Sequence, residues 1–306
     1  MIYLPCKQEK LLASKRKTAD KIGRGITMEN ILHAVHVGKD KYHNTPVVIG
    51  DTEYRLYYKS LHDTLFHVSK VLESVNEGTW DFKTACVFLA SCLWIVEHKS
   101  TPTNHSKLDG LKSLSTCCLD NKFCQFHMQN SNTICSKCYA STQQRRQHGL
   151  TDHNLINGVI LRNILLTIES LQTLPLWNEK FFRIESFGDV ENNTQARNYV
   201  RLCKAFPQTQ FAVWTKNPRI WEIAFDTEGR PENLSFVVSS LYVNETWHSY
   251  DSIADEVDHV FTVYDSETAK VVDINCGGRA CLHDCIKNCK GCYYRNTEMQ
   301  IREQLK

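Results

Sequence analysis

The chain has 306 residues, of which 42% are hydrophobic and 23% charged, and a mean hydropathy of -0.38. This suits a globular protein that buries a full core and excludes a disordered chain or one built of membrane spans. A net charge of +2 excludes a surface made throughout to grip a polyanion.

Fourteen cysteines are the departure from an average composition. The start, Met1 to Lys10, has no basic stretch leading into an apolar signal region, so the expected location is the cytoplasm, with no membrane partner. Disulfides do not persist there, so the thiols need another explanation.

Near the amino terminus Lys7, Lys10, Lys15, Arg16, Lys17, Lys21 and Arg24 face only Glu9 and Asp20. That is either a solvated, frayed terminus or a basic arm for nucleic acid. A short helix is expected over residues 27–36, and a small hairpin around the turn Gly50-Asp51. Leu61 to Glu77 and Asp81 to Glu97 have apolar residues at helical spacing, with Gly78 as the break between them. Residues 1–104 therefore form an α-rich amino-terminal region, and the turn-rich stretch 99–110 leads into a second unit, residues 105–306.

A strand is expected from Leu111 to Thr116, and a helix from Asn154 to Leu171 that ends before Pro175. The rhythm then changes. Phe181 to Phe187, Gln210 to Thr215, Leu234 to Leu241 and His259 to Tyr264 are rich in aromatic and β-branched residues. Helical stretches at Thr194 to Phe206, Pro218 to Phe225 and Tyr250 to Val257 separate them. The series predicts parallel pairing with crossover helices. The expected fold class is α/β, a partial or irregular parallel (β/α) barrel. Sites in such folds gather where the chain leaves the strands, here at Glu185, Ser186 and Asp189, at Lys216 and Asn217, at Ser239, Ser240 and Asn244, and at Asp265. Any one of these also suits a turn or cap.

Ten cysteines fall into two segments, 117–138 and 276–292. In the first, Cys135 and Cys138 are a Cys-x-x-Cys pair that places two thiolates on one centre, and Cys124 folds back as a third ligand. A fourth comes from Cys117, Cys118 or His127. The second holds Cys276, Cys281, Cys285, Cys289 and Cys292, enough for a whole cluster. Thiolates select zinc or iron-sulfur clusters. Zinc sites usually pair two knuckles, whereas closely spaced triplets recur in cluster proteins, so one or two 4Fe-4S clusters are the leading reading. Zinc is the alternative metal, in a zinc-stabilised module that binds nucleic acid or protein without catalysis.

The stretches Lys112 to Cys117, Asn121 to Cys124, Ile134 to Ala140, Phe182 to Asp189 and Phe211 to Asn217, with the Cys-rich tail, resemble the phage gene-product-88-type family. The resemblance spans about residues 105–295. It implies that Cys124, Cys135 and Cys138 form one ligand set and the tail another, and it draws attention to Arg183, Glu185, Ser186, Asp189, Trp214, Thr215, Lys216 and Asn217. The spacing of Cys285, Cys289 and Cys292 is also similar to that of radical S-adenosylmethionine enzymes, which combine three cysteines with a partial barrel. In those the triplet follows the first strand, the place that Cys124, Cys135 and Cys138 occupy here. The expected function is a redox or radical-type enzyme acting on a small molecule or with an electron donor, with S-adenosylmethionine as a candidate ligand. Glu185 and Asp189 are then expected to orient substrate, Lys216 to pair with a carboxylate or phosphate, and Ser186 and Asn217 to bind the cofactor.

Overall fold

The structure, a computed structural model, describes residues 47–49, 52–54, 59–100, 108–248, 252–276, 289, 291–295 and 299–305. The basic arm, the helix expected over 27–36, Cys281 and Cys285 lie outside these residues.

The expected hairpin is present as β1 (Val47–Ile49) antiparallel to β2 (Thr52–Tyr54). Two helices follow, α1 (Lys59–Asn76) and α2 (Phe82–Ser91). Asp81 starts α2 by accepting from Thr84 N at 2.9 Å, which satisfies one of the unpaired N–H groups at a helix start. The helix expected to run on to Glu97 stops at Ser91, and β3 (Ile95–Glu97) forms instead, antiparallel to β4 (Lys112–Leu114). Asn157, fully buried, accepts from Trp94 N at 2.8 Å and donates to Trp94 O at 2.9 Å, taking both groups that a continuing helix needs. The β-branched Ile95 and Val96 then suit the sheet edge.

After β4 come α3 (Lys122–Met128), a 3-10 turn at Ile134–Lys137, α4 (Tyr139–Arg146), α5 (His148–Asn163) and α6 (Ile168–Leu171). The single helix expected across Asn154 to Leu171 is thus two, because Ile164 is extended at φ -140 and ψ 140. Asn198 stabilises the break: it donates to the carbonyls of Leu161 and Ile164 and accepts from Leu166 N, each at 2.8 Å.

The remaining elements are β5 (Phe181–Ile184), α7 (Asn193–Ala205), β6 (Gln210–Thr215), α8 (Pro218–Glu228), β7 (Leu234–Ser239), β8 (His259–Tyr264) and β9 (Met299–Gln304). Before β8 the described residues form a 3-10 turn, Ser252–Glu256, rather than the helix expected there. β9 is an unexpected strand. Its sequence, MQIREQ, has no apolar run, and its backbone pairing with β8 is what makes it a strand.

Strands β3 to β9 form one seven-stranded sheet in strict chain order, and every pair except β3–β4 is parallel. The fold is mixed α/β with a mostly parallel sheet. The sheet is open, since β3 and β9 are its two edges. Alternation along the strands divides it into two faces. Leu114, Phe182, Ile184, Phe211, Val213, Phe236 and Val238 belong to the main core with Tyr199, Val200 and Trp221 of the crossover helices. On the other face Phe181 and Ala212 pack with Leu111 and Tyr293, and the Arg183 guanidinium lies 3.1 Å from the centroid of the Trp214 ring.

The division expected at residues 104/105 falls outside the described residues. Residues on either side of it share one core, in which Leu65 and Leu89 pack with Ile156 and Val159. No helix among the described residues is long and apolar enough to cross a membrane.

Candidate functional site

The carboxyl ends of β4 to β7 converge on the first cysteine segment. β4 runs into Ser115, Thr116, Cys117 and Cys118, β5 into residues 185–189, β6 into Lys216 and Asn217, and β7 into Ser240 and Leu241. Ile134, at the head of the Cys135 turn, donates its N–H to Leu241 O at 2.9 Å. Arg162, at the end of α5, pairs with Asp120 and Glu191 and so ties the first two exits together.

Glu185 is the strained residue of this edge, with φ at 53, where a side chain is rarely tolerated. Its buried carboxylate accepts from Thr116 N (3.0 Å), Thr116 Oγ1 (2.8 Å), Gln195 Nε2 (2.8 Å) and Tyr199 OH (2.5 Å). Burial pushes the carboxyl up to about 7, against the pull of these donors. Four donors fill the acceptor capacity of a carboxylate, so Glu185 ties β4, β5 and α7 together. Gly188 permits the approach: a Cβ there meets Glu185 Oε2 at 2.6 Å and Thr116 Oγ1 at 2.7 Å.

Asp189 has a similar arrangement. Its Oδ1 accepts from Thr215 Oγ1 (2.6 Å) and Val190 N (2.8 Å), and its Oδ2 from Lys216 N (2.7 Å). Burial raises its pKa, opposed first by Lys216. Asn217 donates to Val190 O at 3.1 Å. Ser186 differs from these, because its Oγ is buried with no hydrogen-bond partner among the described residues.

Four thiols gather in the space these loops enclose. Cys118 lies against Cys138 in a packed cluster with Ala140, Leu150 and Phe187, and Cys124 packs alongside. Cys124 in turn feels the charge of Cys135 and Cys138. Burial raises the Cys124 and Cys135 thiols. The Cys118 thiol beside it lowers the pKa of Cys138 and is itself raised, and Cys118 Sγ donates to Gln144 Oε1 at 2.9 Å. Lys216 faces Cys135, Asp189 and Cys138, and these neighbours raise its pKa against the cost of burial. Among the described residues, no three His, Cys, Asp or Glu side chains already stand in an arrangement that holds a metal ion. The donors fit a metal centre in kind, as soft thiols set among apolar side chains.

Sequence spacing leaves the fourth ligand open between Cys117, Cys118 and His127. The structure sets Cys118 among the other thiols and sends Cys117 into the helix-side core. Gln144 was missed altogether. Its Oε1 accepts from Cys118 N at 3.0 Å, and its Nε2 donates to Thr116 O at 3.3 Å. The sequence of α4, YASTQQRR, is too polar for an inward face to be visible in it. Tyr199 and Gln195 were missed because their partner is 14 and 10 residues away across a loop. Of the second segment, Cys276 bridges to Glu303 at the carboxyl end of β9, Cys289 is exposed, and Cys292 packs near Phe181 and Tyr293 on the face away from the main core.

An open, mostly parallel sheet in chain order, with a group of thiols at its carboxyl edge, defines an α/β protein with a cysteine-rich pole. The model of one family, described as gene product 88, matches residues 97–292, and the chain belongs to that family. The match runs from the end of β3 to Cys292 and takes in both cysteine segments. No curated protein and no solved structure shows significant similarity to the chain.

Proposed function

We propose that the chain is an iron-sulfur protein of redox or radical type. The observation that carries this reading is the meeting of Cys118, Cys124, Cys135 and Cys138 at the carboxyl edge, beside the exit of the first parallel strand. The chain order of β4 to β9 supports a partial (β/α) barrel, whose carboxyl edge is where such folds build their sites. A cluster bound by three of these cysteines supplies an iron with an open position, for electron transfer or for a small ligand such as S-adenosylmethionine. The residues around it have separate tasks. Phe187, Ala140 and Leu150 cover the inner side of the thiols. Lys216 sets a cation beside Cys135 and Cys138, which offsets thiolate charge and offers a partner to a ligand carboxylate or phosphate. Glu185 and Asp189 hold the loops, and the free hydroxyl of Ser186 remains to meet a ligand.

Iron, zinc and acid-labile sulfide measured on protein purified without oxygen test this. Near-equal iron and sulfide, lost when Cys135 and Cys138 are replaced, support the reading; a further loss on replacing Cys289 and Cys292 assigns a second cluster to the tail. Stoichiometric zinc without sulfide overturns it in favour of the zinc-stabilised module.

A further inference from the structure

We infer that the cysteine-rich pole is a binding surface for single-stranded nucleic acid. Residues 121–151 contain Lys122, Lys137, Arg145 and Arg146 and no aspartate or glutamate, in a chain where acidic residues number 34 of 306, one in nine. All four cations are exposed, and none has an ion-pair partner among the described residues. Around the sheet the pattern is the reverse, with Arg162, Arg197, Arg201 and Arg230 all paired to carboxylates. The small net charge of the chain therefore hides an asymmetry, since this stretch carries four cations with no carboxylate to offset them.

Aromatic rings are interleaved with these cations. Lys122 and Phe126 are four residues apart on α3 and share a face, with Phe126 69% exposed. Cys124 lies between them in sequence and packs inward toward Phe187. On α4, buried Ala140 and Gln144 face the thiols. Tyr139 and Arg146, seven residues apart, share another face, and Tyr139 is 63% exposed. Tyr242, also exposed, follows Leu241, whose carbonyl holds the Cys135 turn.

Cations without partners neutralise phosphates, and exposed rings offer stacking faces to bases. A duplex keeps its bases stacked inside and leaves those rings in water, so a single strand is the occupant that uses both features. An anionic membrane also attracts cations, but Phe126 and Tyr139 are the only large apolar side chains exposed on α3 and α4, too few for an embedded face. The inference goes beyond the cluster reading, because the surface is the same whatever the thiols hold.

The test is fluorescence anisotropy of the full chain with a labelled oligothymidylate, its duplex and phosphatidylserine vesicles over a range of salt. The strand is expected to bind more tightly than the duplex, with a log-log salt dependence. Replacing Arg145→Glu together with Arg146→Glu should weaken it by roughly tenfold or more at low salt and flatten the slope by about 0.7 for each phosphate no longer neutralised. Phe126→Ala should cost about fivefold to 100-fold with the slope unchanged. Lys83→Glu, an exposed charge change on α2, should do little. No binding at low salt, preference for duplex, binding to vesicles alone, or equal losses with Lys83→Glu would each overturn the inference. Retained binding in the Arg145 and Arg146 variant would do the same and assign the strand to the amino-terminal arm. Iron and sulfide on the same samples keep the two readings apart: strand binding decides this one, and metal content alone decides the other.

Discussion

The hydroxyl of Tyr199 donates to Glu185 Oε1 at 2.5 Å, and both side chains are buried. A carboxylate that α7 holds from one side and the β4 exit from the other makes the site a single rigid knot, with the thiols around it. That knot gives the site a stability component that is separable from its chemistry.

Replacing Glu185→Gln turns an amide NH₂ toward groups that are all donors. The expected cost is about 1–3 kcal/mol in urea unfolding, with Tyr199→Phe costing less because one donor is lost and three remain. Unchanged stability with loss of ligand binding or turnover would instead mean that Glu185 serves the ligand directly.

The adjacent cysteines should separate cleanly. Cys117→Ala removes a thiol from the helix-side core and should lower stability modestly while leaving iron and sulfide in place. Cys118→Ser should lower the iron and sulfide content. If both variants lose metal equally, Cys118 is not the distinguishing ligand.

Acid should weaken the fold through two histidines. Burial pushes His98 and His153 from 6.5 down to about 4, with Arg183 adding to the shift at His98. The folded pKa values lie below the unfolded ones, so the unfolded chain takes up protons first as pH falls. The stability is complete above about pH 6.5 and is lost progressively toward pH 4, by roughly 3 kcal/mol per histidine at most. His153 stacks on Trp94 at 3.7 Å, and His153→Phe keeps a ring there without a proton site. Urea unfolding at about pH 7 and about pH 4.5 should show a smaller difference for His153→Phe than for the parent; an equal difference would remove His153 as a source of the slope.

Local pattern was a good guide where an element is buried along its length. β6 and β8 run over Gln210–Thr215 and His259–Tyr264, the bounds expected for them, and α7 and α8 occupy the intervals expected of crossover helices. It failed at the edges. The end of α2 and the start of β3 depend on Asn157, which lies 63 residues from Trp94, and β9 exists because β8 offers it a backbone ladder.

Sequence alone determined that strands alternate with helices into a parallel sheet, and that thiols are dense at two places, because periodicity and spacing are properties of neighbours in the chain. Tertiary structure decided which thiol joins the group, that Glu185 is filled by the chain's own donors, and that the acid-free stretch turns its cations outward. Those facts rest on segments far apart in sequence, such as Thr116 and Glu185 at 69 residues, and such pairings are made when the sheet assembles.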